Sequence, residues 1–254
     1  MRNQISVSVD RWAAWAPGIE TRDEWKAWAR GERVLGPPDA KPEVSFVKPM
    51  VRRRLSRLSR MSLEVAEACR IDEARPFYVF CSRYGEYNRT VEALRGMLRG
   101  EPMSPAAFSG SVHNTSAGHF TIIHKDRTSS TTVTAGEATF EAGVLEAWTA
   151  LKNGKCTRAL VVYHDEPLPT FYGNPSPELK APLAIAISIR LPQPEECLSL
   201  SWQASSTAAS TTNSTVDVEE EHPVLRVLRL LLGGSEAVAV KTRRLTWEWQ
   251  RHVH

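Results

Sequence analysis

The stretch Thr131–Leu151, TTVTAGEATFEAGVLEAWTAL, has the form of a strand passing into a helix through a turn of small residues. Such a turn can present a nucleophile, because backbone N–H groups at the helix N-terminus lower a thiol's pKa and stabilise an oxyanion. The centre of this turn is Ala135-Gly136-Glu137, and it has no cysteine. A carboxylate at Glu137 has two readings. It is a catalytic group, or it is a charge favoured at a helix N-terminus by about 0.3–1 kcal/mol.

Two further groups invite a chemical reading. The run RRRLSRLSR places five arginines, Arg52, Arg53, Arg54, Arg57 and Arg60, in nine residues. Clustered guanidinium groups suit an acidic protein or a phosphate, and the simpler reading is a solvated helix face. Aromatic residues do not interleave with them, and a formal charge of +3 is too small to argue for nucleic acid. The histidines His113, His119 and His124 follow no one-turn zinc spacing and read as satisfied structural groups. Cys69, Cys81, Cys156 and Cys197 form no CxxC pair, so free buried thiols are expected, with no metal and no cofactor.

The elements that must position these residues follow from periodicity. QISVSVD alternates as a short strand with Ile5, Val7 and Val9 on one face. In TRDEWKAWARG, Thr21 reads as an N-cap, Glu24 as its capping-box partner and Gly31 as a stop, with Trp25 and Trp28 on one face. After a proline-marked loop, one helix is expected over Pro49–Arg70, with Leu55, Leu58, Met61, Val65, Ala66 and Cys69 as its apolar stripe. PFYVFCS reads as a buried strand, and a helix follows with Val91, Leu94, Met97 and Leu98 as its apolar face, ending at Gly100. FSGSVHNTSAGHFTII is a Ser/Gly-rich turn into a further element. EATFEAGVLEAWTALKNG reads as a helix, and RALVVYHDE and APLAIAISIRL as strands. Strands alternating with helices predict a layered α/β domain with a mixed sheet between helices.

Beyond Pro194 the composition turns Ser/Thr-rich and then acidic, predicting an exposed mobile loop before a helix over Pro223–Leu232 and an ordered tail, RRLTWEWQRHV. The expected division is 1–198 and 199–254, the second part packing on the first. No apolar run approaches the roughly 20 residues of a membrane span, and the N-terminus has no signal-peptide h-region. The expected location is the cytoplasm.

Three segments in this order, SPAAFSGSVHNTSAGHFTI, TAGEATFEAGVLEAWTALKNG and RALVVYHDE, resemble the amino-terminal half of a β-ketoacyl synthase, a thiolase-fold condensing enzyme. The resemblance places Glu137, or with a shift of one residue Gly136, where the family carries its nucleophilic cysteine. Neither forms an acyl thioester. The family also takes two histidines from a carboxy-terminal half. Here fewer residues follow Glu137 than precede it, and His164, His222, His252 and His254 lack the family's sequence contexts. The resemblance therefore implies a truncated half-thiolase fold and a catalytically silent chain-length factor, paired with an active ketosynthase in aryl-polyene-type biosynthesis. It implies a tunnel or interface surface at Phe108, Val112, His113, Asn114, Glu137 and Phe140, and contact of the five arginines with an acyl carrier protein. The alternatives are a small malonyl-thioester decarboxylase or acyltransferase using Glu137, and a stand-alone carrier-protein-binding module.

Overall fold

A computed structural model describes residues 3–70, 76–173, 179–193, 196–205 and 221–253. Its strands are β1 (Asn3–Trp15), β2 (Phe77–Cys81), β3 (Ser130–Val133), β4 (Ala159–Asp165), β5 (Leu183–Arg190), β6 (Glu196–Ala204), β7 (Ala237–Lys241) and β8 (Leu245–Val253). They form a mixed sheet in the order β3-β2-β4-β5-β1-β6-β8-β7. Only β3, β2 and β4 run parallel to one another; the other pairings are antiparallel.

The helices are α1 (Arg22–Ala29), α2 (Pro49–Arg52), α3 (Arg57–Ala68), α4 (Tyr87–Leu98), α5 (Pro105–Ser109), α6 (Thr115–His124), α7 (Thr139–Lys152) and α8 (Pro223–Leu231). They pack on both faces of the sheet. Strand alternation sorts the core accordingly. Tyr78, Phe80, Leu160 and Val162 meet α3 and α6 through Leu58, Met61 and Phe120. Val79, Val161, Tyr163, Ile185 and Ile187 belong to the opposite cluster with Val144 and Ala147 of α7 and Leu228 of α8. Strands buried on both faces need apolar residues at every position, which is why ALVVY carries no alternation.

The capping box at Thr21 and Glu24 is present, with Trp25 and Trp28 buried beneath it. Other expectations are corrected. β1 runs well past Asp10, bulging between Val9 and Arg11 so that its first half pairs β6 and its second half β5. The single helix expected over Pro49–Arg70 is two, because the Ser56 hydroxyl accepts from Ser59 N–H and starts a new helix after a break at Arg53–Ser56. Leu55 is buried in that break. The Ser/Gly-rich segment before β3 has its expected turn at Gly110–Asn114, leading into α6, while Phe108 and Ser109 end a further short helix, α5.

The loop expected beyond Pro194 begins instead as β6, which crosses the 198/199 boundary and pairs with both β1 and β8. Its alternation was masked by serines, Ser199 being buried with its hydroxyl on His252 Nε2. Residues 206–220 of that expected loop lie outside the described residues. The short strand β7 was not anticipated. Cys69 and Cys81 are buried thiols, whereas Cys156 and Cys197 are only half-buried.

Candidate functional site

The elbow between β3 and α7 is built as its sequence implies. Gly136 takes φ +61°, a left-handed conformation that favours glycine, and opens a 3-10 turn over Gly136–Ala138. Thr139 locks the turn: its hydroxyl accepts from Ala135 N–H at 3.0 Å and donates to Gly136 O at 2.7 Å. Thr134 donates to Arg83 O, joining the elbow to the turn that follows β2.

Glu137 is exposed, and its Oε2 accepts from the backbone N–H of Arg243 at 3.1 Å, in the β7–β8 turn. The carboxylate thus fastens the carboxy-terminal hairpin to the elbow. The helix behind it lies between two parts of the sheet. On one side α7 packs on β2 and β4 so closely that a Cβ at Gly143 would stand 2.1 Å from Cys81 Sγ. On the other, Trp249 of β8 stacks on Phe140 and donates to Glu141 Oε1 at 3.1 Å. Phe140 is therefore a core residue with no surface to offer a partner.

A small cavity under the elbow is lined by Arg83, Gly136, Glu137, Phe140, Glu141, Tyr163 and His222–Val224. His222, which lacks the sequence context of the family's histidines, nevertheless lies under the elbow. It caps α8, its Nδ1 accepting from Val224 N–H at 3.3 Å, and its Nε2 lies 3.2 Å from Tyr163 Oη. Burial, with the nearby Arg83 and Arg226 guanidinium groups, pushes the His222 pKa down to about 3, so the ring stays neutral. Burial also raises the carboxyl pKa of Glu141 and Asp165, the latter against hydrogen bonds from Arg83 N–H, Ser82 hydroxyl, Tyr163 hydroxyl and Tyr84 N–H.

The other predicted residues divide cleanly. Phe108, Val112 and Asn114 are exposed, and His113 is half-buried with Nε2 donating to Ser82 O at 2.8 Å. Phe108 is 63% exposed and belongs to a larger apolar surface. Of the face expected to bury α4, only Val91 is buried; Leu94, Met97 and Leu98 face outward, Leu98 at 89% exposure. Phe171 and Tyr172 are exposed beside them, Tyr172 meeting Tyr87 edge-on and Arg95 lying over Phe171.

The five arginines do not act as one patch. Arg57 pairs with Glu166 at 2.7 Å and also donates to Pro38 O. Arg60 donates to Pro42 O and Arg52 O, and Arg52 to Glu43 O. Arg57 and Arg60 pin the proline-rich loop onto α3, and Arg52 holds Glu43 from α2. Arg53 and Arg54 are exposed and pair with no carboxylate among the described residues, and Met50 and Val51 are exposed next to them. His124 contacts Glu67 at 3.1 Å, and burial lowers the pKa of His119. Among the described residues no group of three or more His, Cys, Asp or Glu could hold a metal ion, and no helix is long and apolar enough to cross a membrane.

The sequence matches the family described as "Beta-ketoacyl synthase, N-terminal domain" over residues 25–250. The chain belongs to this β-ketoacyl synthase family. Its fold is the thiolase-like fold of ketosynthases, shortened relative to full condensing enzymes. A chain of the complex between the ketosynthase ApeO and its chain length factor ApeC from Xenorhabdus doucetiae superposes with TM-score 0.78 and 26% identity, over 97% of this chain and 99% of that one. A chain of the ishigamide ketosynthase/chain length factor superposes with TM-score 0.75 and 14% identity, over 98% and 99%. Against the ketosynthase from module 6 of the bacillaene synthase of Bacillus subtilis 168, the TM-score is 0.52 at 13% identity, and only 37% of that enzyme is covered. No curated protein sequence matches. The turn between β3 and α7 carries Gly136 and Glu137, and β8 with the start of α8 covers the helix that follows.

Proposed function

We propose that the chain is a non-catalytic chain-length factor, which pairs with an active β-ketoacyl synthase and shapes its acyl tunnel during polyene chain extension of the aryl-polyene type. The observation that carries this reading is a complete elbow and buried helix with no cysteine, its carboxylate at Glu137 committed to Arg243 N–H. Without a thiolate no acyl-enzyme forms, and His222 and His164, each buried with a pKa near 3, are neutral and enclosed. The near-complete overlap with a chain of a ketosynthase–chain length factor complex supports the same reading.

The partner surface is the exposed apolar area of α4, α5 and Phe171–Tyr172, together with Phe108, Val112, His113 and Asn114, because contiguous exposed apolar groups mark interfaces. β3 is a sheet edge beside the elbow and extends the same surface. Phe108 and Val112 supply the bulk that closes the partner's tunnel. Arg53 and Arg54, with Met50, offer an acidic acyl carrier protein a place to land.

Co-expression with a cysteine-containing ketosynthase tests the reading. A 1:1 complex on size-exclusion chromatography is expected, with carrier-bound polyene product only when both subunits are present. Condensation by the isolated chain, or a chain that ignores every candidate ketosynthase, overturns it.

A further inference from the structure

Two hydrogen-bonded groups, His222 with Tyr163 and Asp165 with the turn Ser82–Gly85, adjoin in the core between α8 and the segment before β3. The first starts at the α8 cap. His222 Nδ1 accepts from Val224 N–H, so in the neutral ring the proton is on Nε2, which donates to Tyr163 Oη at 3.2 Å. The Tyr163 hydroxyl is then left to act on the Asp165 carboxylate, two residues on along the same face of β4, where it helps hold the carboxyl pKa down against burial. Asp165 Oδ1 accepts from Ser82 Oγ at 2.8 Å and Tyr84 N–H at 3.2 Å, and Oδ2 from Arg83 N–H at 2.8 Å. Ser82 Oγ in turn accepts from Gly85 N–H at 2.6 Å.

The buried carboxylate thereby shapes the whole turn Ser82–Gly85. That turn is the seat of His113, whose Nε2 donates to Ser82 O at 2.8 Å. Gly85, at φ +57°, makes room for the ring: a Cβ there would stand 2.9 Å from His113 Cδ2. The same turn touches the elbow, through Ser82 N–H on Val133 O and Thr134 Oγ1 on Arg83 O. Phe108 and Val112 are exposed, so within this chain their placement depends on such anchors.

We propose that Ser82, Asp165, Tyr163 and His222 are positioning residues for the segment Phe108–Asn114, holding it in place through the Ser82–Gly85 turn and His113. The consequence for product length rests on the tunnel reading given above, whereas the consequence for the segment's order does not. Buried polar chains in which every member is satisfied rigidify what they touch, and Asp165 is the member with the most bonds. Asn in its place turns a donor toward a site where only N–H and O–H groups point.

Hydrogen exchange on the full-length protein, alone and in its complex with the ketosynthase, tests the proposal. Asp165→Asn is expected to speed exchange of the amides of Ser111–Thr115 by about tenfold or more, which corresponds to roughly 1.4 kcal/mol of lost local stability. The amides that pair β1 with β5 keep their wild-type protection. Should Asp165→Asn fail to fold, Gly85→Ala, which displaces the His113 ring, and Tyr163→Phe, which removes one oxygen, are read the same way. Acceleration confined to Ser82–Gly85 or to α8, with Ser111–Thr115 unchanged in the variants that fold, overturns the proposal. Mass spectrometry of carrier-bound products separates it from the tunnel reading. A loosened segment with altered product length supports both. A loosened segment with unaltered length leaves the positioning chain standing and removes the tunnel role.

Discussion

Helices α4 and α7 each follow a parallel strand at the same end of the sheet, yet their apolar faces have opposite fates. α7 is enclosed: β2 and β4 lie under Gly143 and Val144, and Trp249 closes over Phe140. α4 sinks Val91 and leaves Leu94, Met97 and Leu98 in the open. The carboxy-terminal residues account for the difference. They supply β8 and α8 as a cover for α7, whereas among the described residues nothing covers Leu94, Met97 and Leu98 of α4. A buried elbow helix is thus a requirement this chain meets by itself, and the exposed face of α4 is where the proposed function places a partner.

The comparison is broken most directly at Gly143. Alanine there brings a Cβ to 2.1 Å from the buried Cys81 Sγ, with Val161 Cγ1 at 3.5 Å behind it, so Gly143→Ala is expected to cost about 2–3 kcal/mol or more, at the upper end of overpacking penalties. Urea denaturation of the purified protein measures it. A cost below about 0.5 kcal/mol means that α7 is not as tightly held as the geometry requires.

The second test uses pH. His222 has a folded pKa near 3, well below the ordinary value of 6.5. Below about pH 6.5 the unfolded state therefore binds a proton that the folded state refuses, and stability falls as the pH drops from about 6.5 toward 3. The slope for this one group is about 1.4 kcal/mol per pH unit. The buried carboxyls Glu86, Glu141 and Asp165, with raised pKa values, work in the opposite sense, because protonation is easier in the folded state. Comparing wild type with His222→Asn, which keeps a cap acceptor for Val224 N–H, isolates the histidine. The variant is expected to have a shallower acid limb, and parallel curves would deny that the ring is held neutral.

On the exposed side, Leu98→Glu is expected to change the stability of the isolated chain by no more than about 0.5 kcal/mol, as for other surface substitutions. The same variant should weaken the ketosynthase complex at least tenfold by titration calorimetry. Unchanged affinity would move the partner surface away from α4. The smallest effect is expected at the basic turn. Arg53→Glu with Arg54→Glu should slow association of an acidic carrier protein several-fold at low ionic strength, with the difference vanishing in added salt. Arg57→Glu, by contrast, breaks the pair with Glu166 and should lower stability, so the two arginine variants separate docking from anchoring.

Much of this architecture was legible along the chain. Thr21 with Glu24 declares a helix start, the continuous apolar run of β4 declares a strand buried on both faces, and Ala135-Gly136-Glu137 declares a tight strand-to-helix turn without a cysteine. Each is a local signal, set by hydrogen-bonding groups a few residues apart or by the period of a single element. Patterning also showed that α4 has an apolar face, but a period records only that a face is apolar, not whether the same chain covers it. Non-local contacts were decided by the tertiary structure alone. His222 and Tyr163, far apart in sequence, meet under the elbow because β4 and the start of α8 converge there. The serine-rich start of β6 is a strand because β1 and β8 pair with it on both sides, outweighing weak strand preference with backbone hydrogen bonds. Three of five clustered arginines became anchors because Glu166 and the carbonyls of the loop before α2 came within reach, and among the described residues no carboxylate reaches Arg53 or Arg54.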